Sequence, residues 1–422
     1  MMFTFASPIL HVLWLCWAIQ ALFAVRNVYM FLRREKRYAK RDTATPYTPP
    51  AVVIVPVKGN HDLLAHLRGL LEQDYPQYRL IFAVESMDDP AYRAIRDFCS
   101  TRMEFARILA MGRPSGNRIS PGLVNVTLVS AGLAQNQAQK LHNQLAALGT
   151  LTSHDEVVVF ADADAVMSSH WLRQLVEPLG KPGIGLTTAW RWLVPMRGGM
   201  ASSFTSIINS SIVTLMGRDH RTRAWGGSMA TRREVLKTIG MPKPWTGVFN
   251  DDVTLSNAVR DAGLRVYLVP NLLVASDADY TWASAFEFGR RQYLHGRYYV
   301  GLQWLWAPVG TTLYLAGFLS ALIKTLSFTP GWGWALGTLV LVMGLDSVRA
   351  IIRETVARQV FSEPVLARLD RLWWWERLGT PMWMAYHWVI CCSAMVGRRF
   401  TWGQVTYEAL SRTDVKVVRR GS

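Results

Sequence analysis

Val157-Val158-Val159-Phe160-Ala161-Asp162-Ala163-Asp164 is an apolar run of strand character that stops abruptly at two carboxylates one residue apart. Ligands of open α/β sheets collect outside the carboxyl ends of strands, so a pair of acids there reads as a site. Two hard oxygen ligands suit Mg2+ or Mn2+, which one or two carboxylates hold while phosphate oxygens fill the remaining positions. Asp-x-Asp is also common by chance as a strand end with two solvated acids, and the rest of the chain decides between the two readings.

Working outward, residues 49 to about 279 alternate between strand-like and helix-like stretches. Residues 51–57 read as a buried strand and residues 62–73 as a helix with Leu63, Leu64, Leu67, Leu70 and Leu71 on one face. Residues 79–85 read as a second strand. Strand, helix, strand in that order gives a parallel sheet with a right-handed crossover. Residues 124–129, 137–148 and 157–161 repeat the unit, which puts Asp162 and Asp164 at the ligand edge of an α/β, mainly parallel sheet.

Half of the 422 residues are hydrophobic, a surplus that a soluble domain does not need. Residues 8–25 are nearly free of charge, and with Arg26 snorkelling the apolar run reaches Phe31 and Leu32, long enough to cross a hydrocarbon core of about 30 Å. A signal peptide would have a basic start and a small-residue cleavage pattern, and neither is present. Arg33, Arg34, Lys36, Arg37, Lys40 and Arg41 follow, and positive flanks stay on the cytoplasmic side. Further apolar stretches near 304–323 and 330–348, joined by a turn at 327–331, read as a helical hairpin. Residues 381–397 are just long enough to span but carry basic residues at both ends, so a re-entrant or interfacial segment is an equal reading.

The expected organisation is an anchor over 1–32, a basic and Pro-rich linker over 33–50, a cytoplasmic catalytic domain over 51–300, a membrane region over 301–400 and a basic tail over 401–422. The net charge of +16 clusters beside the apolar spans without a nucleic-acid-binding signature, so anionic lipid headgroups, and no nucleic acid, are the expected partner. Cys16, Cys99, Cys391 and Cys392 form neither a disulfide framework nor a metal spacing.

Several segments then carry a specific likeness. Pro56-Val57-Lys58-Gly59, Leu71-Glu72-Gln73-Asp74-Tyr75-Pro76 and Val84-Glu85-Ser86-Met87-Asp88-Asp89-Pro90-Ala91 come first. Lys140 and Asn143, Asp162-Ala163-Asp164, Trp225-Gly226-Gly227-Ser228-Met229 and Phe249-Asn250-Asp251-Asp252 follow in order. Together they resemble a membrane-bound family 2 type glycosyltransferase, in particular the ceramide glucosyltransferase group and its bacterial hopanoid-associated relatives. The resemblance implies a GT-A nucleotide-sugar fold flanked by transmembrane helices, inversion at the anomeric carbon, and a membrane lipid acceptor. It also implies a nucleotide-sugar donor such as UDP-glucose and a site on the cytoplasmic face of a bacterial inner membrane. By that likeness Asp162 and Asp164 hold the metal, while Pro56, Lys58, Glu85, Asp88, Lys140 and Asp162 bind the nucleotide. Trp225, Gly226, Gly227 and Asp251 then face sugar or acceptor, and Asp252 is catalytic. Two positions depart from the pattern. Ser86 stands where the group has its first Asp, leaving Glu85 or Asp88 to substitute. The late Arg-Trp motif is replaced at Leu294 and His295, where Arg291, Gln292 and Arg297 are the candidates for the diphosphate.

The chemistry can be reasoned without the likeness. A departing diphosphate must be neutralised, by a cation on Asp164 and Asp162 acting as Lewis acid and by guanidinium groups pairing bidentately with phosphate. A basic strip just before Trp304 is equally expected of a membrane-facing helix, so Arg291 and Arg297 have two readings. Asp252 opens the helix 253–262, whose dipole would hold its carboxylate ionised and ready to accept a proton, with Asp251 as a helix cap in the competing reading. Gly226-Gly227 permits close backbone approach or a plain turn. His142, His220 and His295 are more often structural than functional. The Ser-rich stretch 200–216 either borders an acceptor groove or packs on the sheet. A processive polysaccharide synthase and a silent membrane scaffold remain as alternatives.

Overall fold

Residues Val157–Ala161 do form a strand, buried at all five positions, and it sits at the centre of a seven-stranded sheet. The computed structural model describes residues 6–38, 47–59, 63–111, 124–217 and 221–421. Lys40, Arg41, Asp62, His220 and the start of the Pro-rich link lie outside them. The strands are β1 (Ala51–Pro56), β2 (Tyr78–Val84), β3 (Asn125–Ser130), β4 (Val157–Ala161), β5 (Ile184–Pro195), β6 (Ser228–Arg232) and β7 (Arg265–Ala278). Their order across the sheet is β3-β2-β1-β4-β6-β5-β7. The first four are parallel, with Ala51 level with both Tyr78 and Val157. β6 runs antiparallel to β4 and to β5.

This is the expected α/β layout, with strand ends within a residue or so of the sequence reading. β1 and β4 read as unbroken apolar runs because a parallel sheet is covered on both faces. Val53 and Val55 face a core shared with Leu67, Leu70, Trp171, Leu172 and Leu175. The ring nitrogen of buried Trp171 is satisfied by the Ser228 hydroxyl at 2.8 Å, since a buried donor without a partner is costly.

The chain divides into two compact units. One comprises Thr43–Arg191, Thr222–Ser276 and Thr401–Ser422, and the other Met1–Asp42, Trp192–Arg221 and Asp277–Phe400. Both are discontinuous in sequence, which a linear domain reading does not anticipate. Residues 401–422, expected as a basic tail, join the sheet unit. They complete a three-stranded sheet of β8 (Arg399–Trp402), β9 (Val405–Ala409) and β10 (Val415–Arg420), with β9 central.

Among the described residues, the other unit holds three helices long and apolar enough to cross a membrane, over Pro8–Arg37, Gly301–Leu326 and Trp332–Val360. Their outer faces expose Ile9, Leu15, Phe23, Ile323, Leu326, Trp334 and Val340. Trp17 packs where Gly317 lacks a side chain, since a Cβ there would lie 2.7 Å from the indole. Trp14 also donates to the Ser320 hydroxyl at 3.1 Å and Gln20 to the Gly310 carbonyl at 2.7 Å. The segment expected at 381–397 is a helix of 14 residues, Thr380–Ser393. At 1.5 Å per residue it reaches about 21 Å, short of a hydrocarbon core of about 30 Å. The Ser-rich stretch is the helix Met200–Val213, mostly buried, with Phe204, Ile207 and Ile208 in that unit's core.

Candidate active site

The acids at the end of β4 meet a second acidic pair through one lysine. Lys140 lies in the first turn of the helix Gln139–Leu148. Its ammonium sits 2.7 Å from Asp162 Oδ1 and 2.9 Å from Asp251 Oδ2. Gln144, one turn on and therefore on the same helix face, donates to the same Asp251 oxygen at 3.1 Å. Asn143 faces elsewhere: it accepts from Gln139 at 2.8 Å and donates to the Ala83 carbonyl at 3.2 Å, tying the helix to β2. Burial alone would drive the lysine to shed its proton, but the two carboxylates outweigh that and hold its pKa well above the ordinary value.

Asp252 begins the helix Asp252–Asp261. Its Oδ2 accepts from the Gly226 amide at 2.9 Å, and its Oδ1 from Asn250 Nδ2 and the Val253 amide, both at 2.7 Å. Its pKa is pushed up to about 6, first by burial and then by the neighbouring Asp251, against the pull of Lys140 and these hydrogen bonds. The sequence reading had the helix dipole lowering it. The dipole favours an anion by about 0.3–1 kcal/mol, too little against burial and a like charge. The helix cap also differs, because Asp251 makes no side-chain cap. Asn250 Oδ1 accepts from the Val253 amide at 2.8 Å instead.

Gly226 and Gly227 are required by these acids. A Cβ on Gly226 would lie 2.5 Å from Asp251 Oδ2, and one on Gly227 would lie 2.5 Å from Asp162 Oδ2 and 2.2 Å from the Trp225 ring. The close approach is thus to the protein's own carboxylates. Trp225 belongs to the hydrophobic core, with its amide bound to the Thr188 hydroxyl at 3.0 Å. Asp164 is the outlying acid, its side chain 69% exposed and 3.7 Å from Arg191. Arg191 in turn lies over the Trp225 ring at 5.5 Å. Sequence reasoning missed Arg191; the signal was a lone cation inside the apolar strand β5.

At the ends of β1 and β2, Lys58 pairs with Glu85 at 3.0 Å, and Arg420 from β10 approaches the same carboxylate at 3.6 Å. Pro56 closes β1 just before them. Asp88 is exposed, whereas buried Asp89 binds the amides of Gly59 at 3.0 Å and Ala91 at 2.8 Å. His142 is held by Gln137 and the Ala131 carbonyl, which suits a structural role.

Arg291, Gln292 and Arg297 lie on the helix Trp282–Tyr299 in the other unit. Arg297 donates to the carbonyls of Ala394 at 3.2 Å and Gly397 at 3.1 Å, and Arg291 lies over Phe288. His295 is buried there beside Phe400.

Among the described residues no three His, Cys, Asp or Glu side chains converge as an all-protein metal cage. The donor set does fit a cation of the Mg2+ or Mn2+ kind, which is held by one or two carboxylates and completed by substrate phosphate. Among the described residues, the cations paired with Asp162, Asp251 and Asp164 are Lys140 and Arg191, and the missing side chain at Gly227 leaves room beside the Asp162 oxygen.

A family model described as glycosyltransferase like family 2 matches residues 48–294. Among solved structures, the chain is similar to the mannosyltransferase PcManGT from Pyrobaculum calidifontis, in complex with GDP-Man and Mn2+. That likeness has 19% identity and a TM-score of 0.48, covering 92% of this chain and 99% of that one. It is also similar to S. aureus TarS 1–349, at 13% identity and a TM-score of 0.35, covering 88% and 100%. No curated protein sequence matches.

Proposed function

The chain belongs to the glycosyltransferase-like family 2, and we propose that it moves a sugar from a nucleotide-sugar donor to the hydroxyl of a membrane lipid, with inversion. The observation that carries this reading is the arrangement around Lys140. The lysine engages Asp162 and Asp251 and leaves one acid of each pair, Asp164 and Asp252, for the reaction.

In the proposed reaction the acceptor oxygen attacks the anomeric carbon while the bond from that carbon to the diphosphate oxygen breaks. Asp252 takes the hydroxyl proton, and a base with a pKa near 6 is ionised at neutral pH yet still a useful proton acceptor. Asp164 and Asp162 would hold Mg2+ or Mn2+, which supplies Lewis-acid neutralisation of the departing diphosphate. Lys140 keeps Asp162 oriented toward that task. The apolar helices and their basic flanks favour a membrane setting with the site on the cytoplasmic side, as in a bacterial inner membrane, and a lipid acceptor of the long-chain ceramide type.

The test is label transfer from radiolabelled nucleotide sugars, UDP-glucose first, in membranes carrying wild type or Asp252→Asn, followed by partition into organic solvent. Asp252-dependent label in the organic phase is the expected result. Label in insoluble polymer would favour a processive synthase, and none in either fraction with nucleotide binding intact would favour a scaffold. In the same preparations Asp164→Ala should abolish Mn2+-dependent nucleotide binding, and binding indifferent to chelator would remove the metal from the scheme.

A further inference from the structure

The helix that carries Lys140 begins without a cap of its own. Ala138 precedes it and makes no side-chain hydrogen bond to the first turn, where backbone amides have no partner within the helix. A lysine in the first turn also opposes the helix dipole, which is positive at that end.

Residues 401–422 answer both deficits. The buried Tyr407 hydroxyl accepts from the Gln139 amide at 3.1 Å, closing the first turn from 268 residues away. The Trp402 ring lies over the Lys140 ammonium with its centroid at 5.8 Å, within the reach of about 6 Å of a cation–π contact. Arg420 donates to Gln139 Oε1 at 3.2 Å through both terminal nitrogens, and the Val417 amide donates to the Gln135 carbonyl at 3.3 Å.

The same sheet reaches the other side of the ion pair. Thr413, in the connection between β9 and β10, sets its carbonyl oxygen against Gly247, where a Cβ would lie 2.3 Å from it. Val248 comes next, its carbonyl accepting from the Ala138 amide at 3.2 Å, and Asp251 follows three residues on. The segment that delivers Asp251 and the helix that delivers Lys140 therefore touch each other, and both touch the C-terminal sheet.

We propose that the C-terminal sheet braces the Lys140–Asp251 pair, with Tyr407 and Trp402 as positioning residues that keep the ammonium between Asp162 and Asp251. An ammonium on a flexible four-carbon stem has many alternative positions, which a fixed helix start and an aromatic face over the cation narrow. The consequence for sugar transfer rests on the glycosyltransferase reading above, whereas the brace itself does not.

The experiment uses the full chain in detergent. Tyr407→Phe keeps the ring and removes the hydroxyl, so amide hydrogen exchange at residues 138–142 should quicken by about 2- to 12-fold, while the strand Val157–Ala161 keeps its wild-type rate. Trp402→Leu should lower the melting temperature. The same change made in Lys140→Met should lower it by less than about half as much, because the aromatic face then has no cation to hold. In membranes, label transfer should fall in Trp402→Leu and recover in Trp402→Phe. Additive melting-temperature losses, unchanged exchange at 138–142, or faster exchange spreading through Val157–Ala161 would each overturn the proposal, as would full transfer by Trp402→Leu. A wild type that transfers no sugar, with the exchange and melting results as stated, would instead remove the glycosyltransferase reading and leave the brace in place.

Discussion

The acids that end β4 and those that open the helix Asp252–Asp261 are two regions far apart in sequence that the fold treats alike. Each pair gives one member to Lys140, Asp162 from the first and Asp251 from the second. Each of those carboxylates is faced by one glycine, Gly227 for Asp162 and Gly226 for Asp251. The remaining members diverge. Asp164 stands 69% exposed beside Arg191, while Asp252 is held in hydrogen bonds with its pKa raised to about 6. A carboxylate open to solvent suits a cation that arrives with a nucleotide, and one pushed toward neutrality suits a proton acceptor. In the proposed reaction, identical residue types thus take separate tasks from burial and from which of them the lysine claims.

The largest effect that would break this division is at Asp252. Asp252→Asn keeps the shape and removes the proposed base, so turnover should fall by about 10²–10⁴-fold with donor binding little changed. Wild-type turnover should rise with pH through about 6 and level off above it. Stability moves the other way. A carboxylate whose folded pKa is raised stabilises the fold fully below its unfolded pKa, and that contribution is lost as pH rises through about 6. Asp252→Asn should therefore raise the melting temperature at pH 8 and leave it unchanged near pH 4. An equal gain at both pH values would mean that the acid carries no raised pKa.

Next in size is the lysine itself. Lys140→Met strands two poorly exposed carboxylates without their shared cation, and breaking such a pair costs about 3–5 kcal/mol. The melting temperature should drop steeply, and Asp251→Asn in the same chain should recover part of the loss. If both single changes and the double add independently, the lysine does not link the two pairs.

How much of this was legible in the sequence follows from which interactions are local. β1, β2 and β4 could be read because a buried parallel strand writes itself as an unbroken apolar run, and Asp162, Asp164 and Asp252 because acids end or begin those elements. The two-unit division could not be read, since residues 192–221 and 401–422 change partners through contacts distant in sequence. Arg420 was hidden for the same reason: a basic strand at the end of the chain looks like a tail until Gln139 and Glu85 are brought to it. The pKa of Asp252 was misjudged because the helix dipole is a local term and the crowding by Asp251 and burial is not. The finer partition among Asp251, Asn250 and Asp252 needed side-chain geometry that no spacing supplies.

The smallest expected effect sharpens the comparison furthest, because it separates the two glycines. In Gly227→Ala the new methyl meets the Trp225 ring at 2.2 Å and Asp162 Oδ2 at 2.5 Å, whereas in Gly226→Ala its nearest neighbours are the atoms of the Asp251 carboxylate, the closest oxygen at 2.5 Å. A carboxylate can turn, but Trp225 is packed in the core and a filled core resists added volume at a cost of about 1–3 kcal/mol. Gly227→Ala should therefore lower the melting temperature more than Gly226→Ala. Their functional signatures should also differ, since displacing Asp162 disturbs the proposed metal pair and displacing Asp251 disturbs the neighbour that raises Asp252. Gly227→Ala should weaken Mn2+-dependent nucleotide binding, and Gly226→Ala should shift the acid limb of the pH–rate profile. Identical profiles and identical metal dependence in the two variants would show that the acid pairs are not divided in the way the lysine suggests.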